Sequence, residues 1–132
     1  MKKLVSFSLV VLSFIVLTAL KADVQPEFKF DEETHDFAKI PQGKPVSVEF
    51  KFTNVGDEPL ILTNVEATCG CTVPEYSKLP VLKGQTGIVK ATFNAAVTGP
   101  FIKQLTITSN ARTTKKVLYL KGEVISATTS SN

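Results

Sequence analysis

The sequence predicts an all-β fold: an immunoglobulin-like two-sheet antiparallel sandwich of about seven strands, preceded by a signal-peptide helix. Three observations carry this expectation. Apolar and polar residues switch at every step through Val46-Ser47-Val48-Glu49-Phe50-Lys51-Phe52-Thr53, and a period of two puts Val46, Val48, Phe50 and Phe52 on one face of a strand. Segments of this kind recur roughly every ten residues, the spacing of a sandwich. Turn residues separate them, at Gln42-Gly43, Lys83-Gly84, Gly99-Pro100 and Ser109-Asn110. No segment has a convincing helical period.

The chain opens on Met1-Lys2-Lys3, followed by an uncharged apolar run from Leu4 to Leu20 and the small residue Ala22. A positive start, an apolar middle and a small-residue exit form the export-signal pattern, so residues 1–22 read as a signal peptide cut after Ala22. An uncut membrane anchor is the alternative. The run is a little shorter than the ~20 residues a bilayer needs, and it carries Ser6, Ser8, Ser13 and Thr18. No Cys lies near the exit to accept a lipid. The expected location is therefore periplasmic or extracellular, with no membrane attachment after cleavage.

Residues 23–125 read as one domain with a single core. Short apolar pieces at 28–30 and 34–40 precede the long strand at 46–53. Further strands are expected at 60–65, 87–94, 101–109 and 116–124, with Gly122 marking a place for a bulge. Residues 126–132, rich in Ser and Thr, read as a flexible tail. The chain has no Trp, and its two Cys are separated by one residue, so neither antibody hallmark is present and the core must be aliphatic and phenylalanine-built.

Charge excludes one class of partner. Lys2, Lys3 and Lys21 lie in the leader, so the 15 basic residues of the whole chain fall to 12 beyond it, against 12 acidic ones. A nucleic-acid surface needs a clustered basic excess. The best cluster, Arg112 with Lys115 and Lys116, is short and reads as a solvated turn and strand edge.

The strings Thr34-His35-Asp36-Phe37, Phe50-Lys51-Phe52-Thr53-Asn54-x-Gly56, Thr68-Cys69-Gly70-Cys71-Thr72-x-Pro74 and Gly84-x-x-Gly87, with Gly99, Lys103 and Ser109-Asn110, resemble domain-of-unknown-function family 1573 (DUF1573). These are exported bacterial Ig-like domains, and the resemblance runs from Phe28 to Val124. It implies the fold and export and supplies no activity. One departure is Ala38, where the family usually has Gly, a residue used for positive φ or close backbone approach.

Cys69 and Cys71 are the candidate site. They can join each other across Gly70, chelate a soft metal such as Cu(I) or Zn(II), or pack as small residues at a strand end. A metal would need more ligands than two thiols. His35 is the sole imidazole, and the single Met is the initiator. An oxidising compartment favours the local disulfide. His35 and Asp36 are neighbours on an expected strand, so their side chains point to opposite faces and do not make a catalytic pair. The acidic pairs Glu32-Glu33 and Asp57-Glu58 read as solvated turns. The functional expectation is a non-enzymatic module without a cofactor that binds or supports another cell-envelope or secreted protein. The alternative is a thiol-based redox or soft-metal-handling protein working through Cys69 and Cys71.

Overall fold

A computed structural model describes residues 24–126; the expected leader and, beyond Ser126, the expected tail lie outside them. Eight strands make up the described chain: β1 (Phe28–Phe30), β2 (Thr34–Pro41), β3 (Val46–Asn54), β4 (Leu62–Ala67), β5 (Thr72–Tyr76), β6 (Thr86–Phe93), β7 (Gly99–Ser109) and β8 (Lys115–Ile125). They form two four-stranded sheets, ordered β1-β3-β6-β5 and β2-β8-β7-β4. No described element is a helix, and among the described residues no helix is long and apolar enough to cross a membrane.

Two features go beyond the predicted antiparallel seven. The eighth strand is β5, whose inward residues Thr72, Pro74 and Tyr76 form no apolar stripe, while its Val73 is exposed. In addition, β2 runs parallel to β8, whereas the other pairings are antiparallel. The Gly99-Pro100 pair, read as a turn, lies inside β7. The apolar stretch at 60–65 is divided: Leu60 makes an isolated bridge with Val81, and the strand proper begins at Leu62.

Alternation decides what the sheets bury. Phe50, Phe52, Val89, Leu105, Ile107, Leu118 and Leu120 are fully enclosed between the layers. The outer face of the first sheet carries opposed charges in register, Glu49 and Glu75 both facing Lys90, the cross-strand arrangement that favours a solvated face. Beside them Ser47 and Thr92 share a hydrogen bond of 2.9 Å.

β2 keeps its apolar residues inward by a change of phase. His35 and Phe37 are half-buried, yet Ile40 is buried too, which unbroken alternation forbids. A one-residue bulge between Asp36 and Lys39, opposite Gly122, makes the switch. Ala38 stands in the bulge at φ 57°, and its N–H donates to Asp36 Oδ1 at 2.8 Å. Ala38 thus takes the left-handed conformation itself. A Cβ on Gly122 would come within 2.9 Å of the Ala38 carbonyl oxygen and 3.0 Å of the Phe101 ring, so the bulge is seated on a glycine.

At one end of the sandwich, Asn54 holds three chain segments together. Its side chain is fully buried. Nδ2 donates to the carbonyls of Glu58 at 2.7 Å and Val81 at 2.8 Å, and Oδ1 accepts from Gly56 N at 3.0 Å and Glu27 N at 3.4 Å. A Cβ on Gly56 would stand 2.3 Å from the Gln25 carbonyl oxygen. One on Gly87 would stand 2.4 Å from the Phe52 ring. The glycine-rich strings are therefore structural here. Nearby, Lys83 pairs with Asp57, and that hydrogen bond and charge hold the ammonium above its ordinary value.

Candidate functional site

The opposite end is built around the cysteines. β4 leaves its sheet after Ala67, and β5 enters the other sheet at Thr72, so residues 68–71 cross between the layers. Three backbone bonds fix the crossing. Thr68 N donates to Gln104 O at 3.1 Å, Thr72 N to Cys69 O at 3.4 Å, and Asn94 N to Cys71 O at 3.0 Å. Thr72 is buried. Within this turn Cys69 and Cys71 are joined by a disulfide, with their Cα atoms 5.3 Å apart. A Cβ on Gly70 would meet nothing within 4 Å; the turn is open on its outer side.

The disulfide occupies both thiols, which are the groups a soft metal would need. His35 does not join them. It lies on β2 and the cysteines follow β4, and these strands are the two opposite edges of one sheet, with β8 and β7 between them. His35 Nδ1 faces Glu32 Oε1 at 3.0 Å, and the ring meets Phe37 edge-on at 4.6 Å. Asp36 is exposed and engaged with the Ala38 amide, so the two are no catalytic pair. Among the described residues no group of three His, Cys, Asp or Glu is placed to hold a metal. The joined pair lends no support to the redox alternative either.

What the turn does create is one wall of a cleft of about 370 Å³, within the size range of ligand sites. Its floor is Phe93 from one sheet stacked on Phe101 from the other, ring centroids 4.3 Å apart. The second wall is the loop 94–98 between β6 and β7, with Lys103 on the remaining side. That loop is held firmly. Asn94 Oδ1 accepts from Ala96 N at 3.1 Å, Gly43 N donates to Ala95 O at 2.9 Å, and Gln42 Nε2 donates to Ala96 O at 3.0 Å. Ala95 is fully buried at φ 52°. Val97, by contrast, projects at the rim with 77% of its surface exposed.

Sequence reasoning named the cysteines and missed the rest of the cleft. A signal for Lys103 was present: it stands in the inward phase of β7 between Phe101 and Leu105, where alternation calls for an apolar side chain. No pattern marked Val97, whose place depends on the loop.

The family model described as "Protein of unknown function (DUF1573)" matches residues 28–124. No curated protein matches the sequence. Among solved structures, a protein of unknown function from Porphyromonas gingivalis W83 superposes with a TM-score of 0.68 at 15% identity, covering 81% of this chain and 50% of that one. The ASH/PapD-like domain 7 of human CEP192 gives 0.66 at 10% identity, over 83% of this chain and 92% of that one. The VesB protease of Vibrio cholerae gives 0.62 at 13% identity, over 76% of this chain and 32% of that one. The chain thus spans half of the Porphyromonas structure and about a third of the protease. At these identities the likeness establishes the sandwich fold alone.

Proposed function

The chain belongs to the DUF1573 family, and from that premise we propose that it is an exported, non-enzymatic Ig-like module that binds another cell-envelope or secreted protein. The observation that supports this reading is the cleft beside the disulfide turn, open to solvent, floored by stacked aromatic rings and rimmed by the exposed Val97. An apolar floor with an exposed apolar rim is what a partner's side chain covers on docking. Both walls are held by hydrogen bonds, the turn chiefly by backbone ones and the loop chiefly by the side chains of Asn94 and Gln42, so little ordering is needed on binding and less affinity is lost to it. The leader pattern supports export, and a disulfide is durable in the compartment that export reaches.

A photo-crosslinking residue placed at Val97 in the exporting cell tests the binding reading. One identified envelope protein is expected at this position and none from the same residue placed at Glu49, on the charged outer face of the first sheet. Equal adducts from both positions, or none from Val97, would overturn it. The intact mass of the purified protein tests export separately. It is expected to correspond to a chain beginning at Asp23 and lacking two hydrogens; a mass retaining residues 1–22 would refute cleavage.

A further inference from the structure

Lys103 is out of place for a core strand. The inward phase of β7 reads Phe101, Lys103, Leu105, Ile107 and Ser109, and the others of this set are buried while Lys103 is half-buried. A lysine tolerates such a position by laying its methylenes along apolar surface and keeping its ammonium wet. That accounts for survival in the fold. It gives no reason for a cation at the wall of an aromatic-floored cleft. Lys83, Lys116 and Lys121 each have a carboxylate partner in Asp57, Glu33 and Asp36. Among the described residues no carboxylate pairs with Lys103. Other lysines lack one too, but they are exposed or on outward faces, whereas Lys103 stands in the inward phase of its strand.

We propose that Lys103 is the anion anchor of the cleft, and that the occupant is an extended segment of a partner protein carrying an apolar side chain next to an Asp or Glu. The apolar side chain lies on the Phe93–Phe101 stack and the carboxylate meets Lys103 Nζ. This deepens the reading above and rests on it. An ammonium held at the wall of an apolar cleft offers a charge-assisted bond to a carboxylate, stronger than a bond between neutral groups. The rim decides for a peptide over a free fatty acid. A chain crossing the mouth covers Val97, which a single acyl tail entering end-on leaves bare.

Selection of random seven-residue peptides displayed on phage against the oxidised mature protein tests the assignment. The expected winners carry an apolar residue beside Asp or Glu, and their addition shifts the backbone amide resonances of residues 93–103. Lys103→Met is expected to weaken them by about 10- to 100-fold, as loss of a hydrogen bond to a charged group does. Lys103→Arg is expected to retain most of the binding, and Lys103→Glu to turn selection toward Lys and Arg. Thermal melts of the three variants show whether each is folded. Should Lys103→Met unfold, the resonance map of the natural protein and the charge reversal decide.

Winners without an acidic residue, binding unchanged in Lys103→Met, shifts confined to other residues, or no winners at all would each overturn the proposal. Its failure is distinguishable from failure of the binding reading. A specific adduct at Val97 together with acid-independent peptides removes the carboxylate anchor and leaves the protein-binding module standing.

Discussion

The two ends of the sandwich are built from the same kind of motif and put it to opposite uses. At the Asn54 end a short glycine-containing string is closed on itself: the amide of Asn54 reaches two carbonyls and two backbone N–H groups, and Gly56 has no room for a methyl group. At the Cys69 end a string of similar length is held by its disulfide, three backbone bonds and the bond from Gln104 N to Thr68 Oγ1, and Gly70 faces open space. The aromatic clusters follow suit. Phe28, Phe30 and Phe52 pack against one another with centroids 5.3 to 6.4 Å apart under the first end. Phe93 and Phe101 form the floor of a cleft under the second. Short motifs of equal visibility in a sequence can therefore mark a fastening at one place and a surface at another. The physical difference is whether buried polar groups converge on the motif or leave it free.

The contrast is most easily broken at the closed end. Asn54→Ala strands the Glu58 carbonyl and the N–H groups of Gly56 and Glu27, while the Val81 carbonyl keeps its bond from Leu60 N, at about 1–3 kcal/mol for each group left unsatisfied. A total loss on the order of 3–5 kcal/mol is expected in urea unfolding, a large fraction of the roughly 5–15 kcal/mol that stabilises a domain. Gly56→Ala is expected to fall in the same class, because the backbone around Gln25 has to move. Either variant melting like the natural protein would refute the idea that this end holds the sandwich.

At the open end the effects shrink. Replacing both cysteines by Ser removes a bridge with a sequence separation of 2. So small a ring constrains the unfolded chain little, and about 1–2 kcal/mol is expected from loop entropy. A loss as large as that of Asn54→Ala would show that the disulfide organises more than its own turn.

The third test has the opposite sign. Ala38 is exposed and holds φ 57°, a conformation costing a non-glycine residue about 1–2 kcal/mol. Glycine loosens the unfolded chain by about 0.4–1 kcal/mol, so Ala38→Gly is expected to stabilise by roughly 0.5–1 kcal/mol. The same change at the buried Ala95 also forfeits a methyl group worth about 0.8 kcal/mol, and should come out near neutral. Thermal melts of the pair separate these cases, and a destabilised Ala38→Gly would contradict the bulge as described. The smallest effect is expected for Gly70→Ala, within about 0.5 kcal/mol, since the added methyl group meets nothing. A large loss there would mean that the turn is not open.

Much of this architecture was legible before any coordinates. The strand at 46–53 declared itself because burial of one face writes a period of two directly into the residue order; those at 87–94, 101–109 and 116–124 followed from the same signal, and those at 28–30, 34–40 and 60–65 from short apolar stretches. The string Thr53-Asn54-x-Gly56 was visible as a motif, but its meaning was not. Only the folded chain brings Glu27, Glu58 and Val81 to Asn54. The bulge was half-visible: Ala38 stood out against the family pattern, yet Gly122 was the residue expected to bulge. In the structure Gly122 instead provides the space opposite.

The sequence by itself determined the two-sheet class, the core residues on the alternating strands, and the lack of any third thiol beside Cys69 and Cys71. These follow from order along the chain, where local periodicity acts. The tertiary structure alone decided the parallel pairing of β2 with β8, the existence of β5, the separation of His35 from the cysteines, and the cleft with Lys103 at its wall. Each of those depends on which segments become neighbours across the layers. The expected signal segment, residues 1–22, is the mirror case: the reading rests wholly on residue order, and the segment lies outside the described residues.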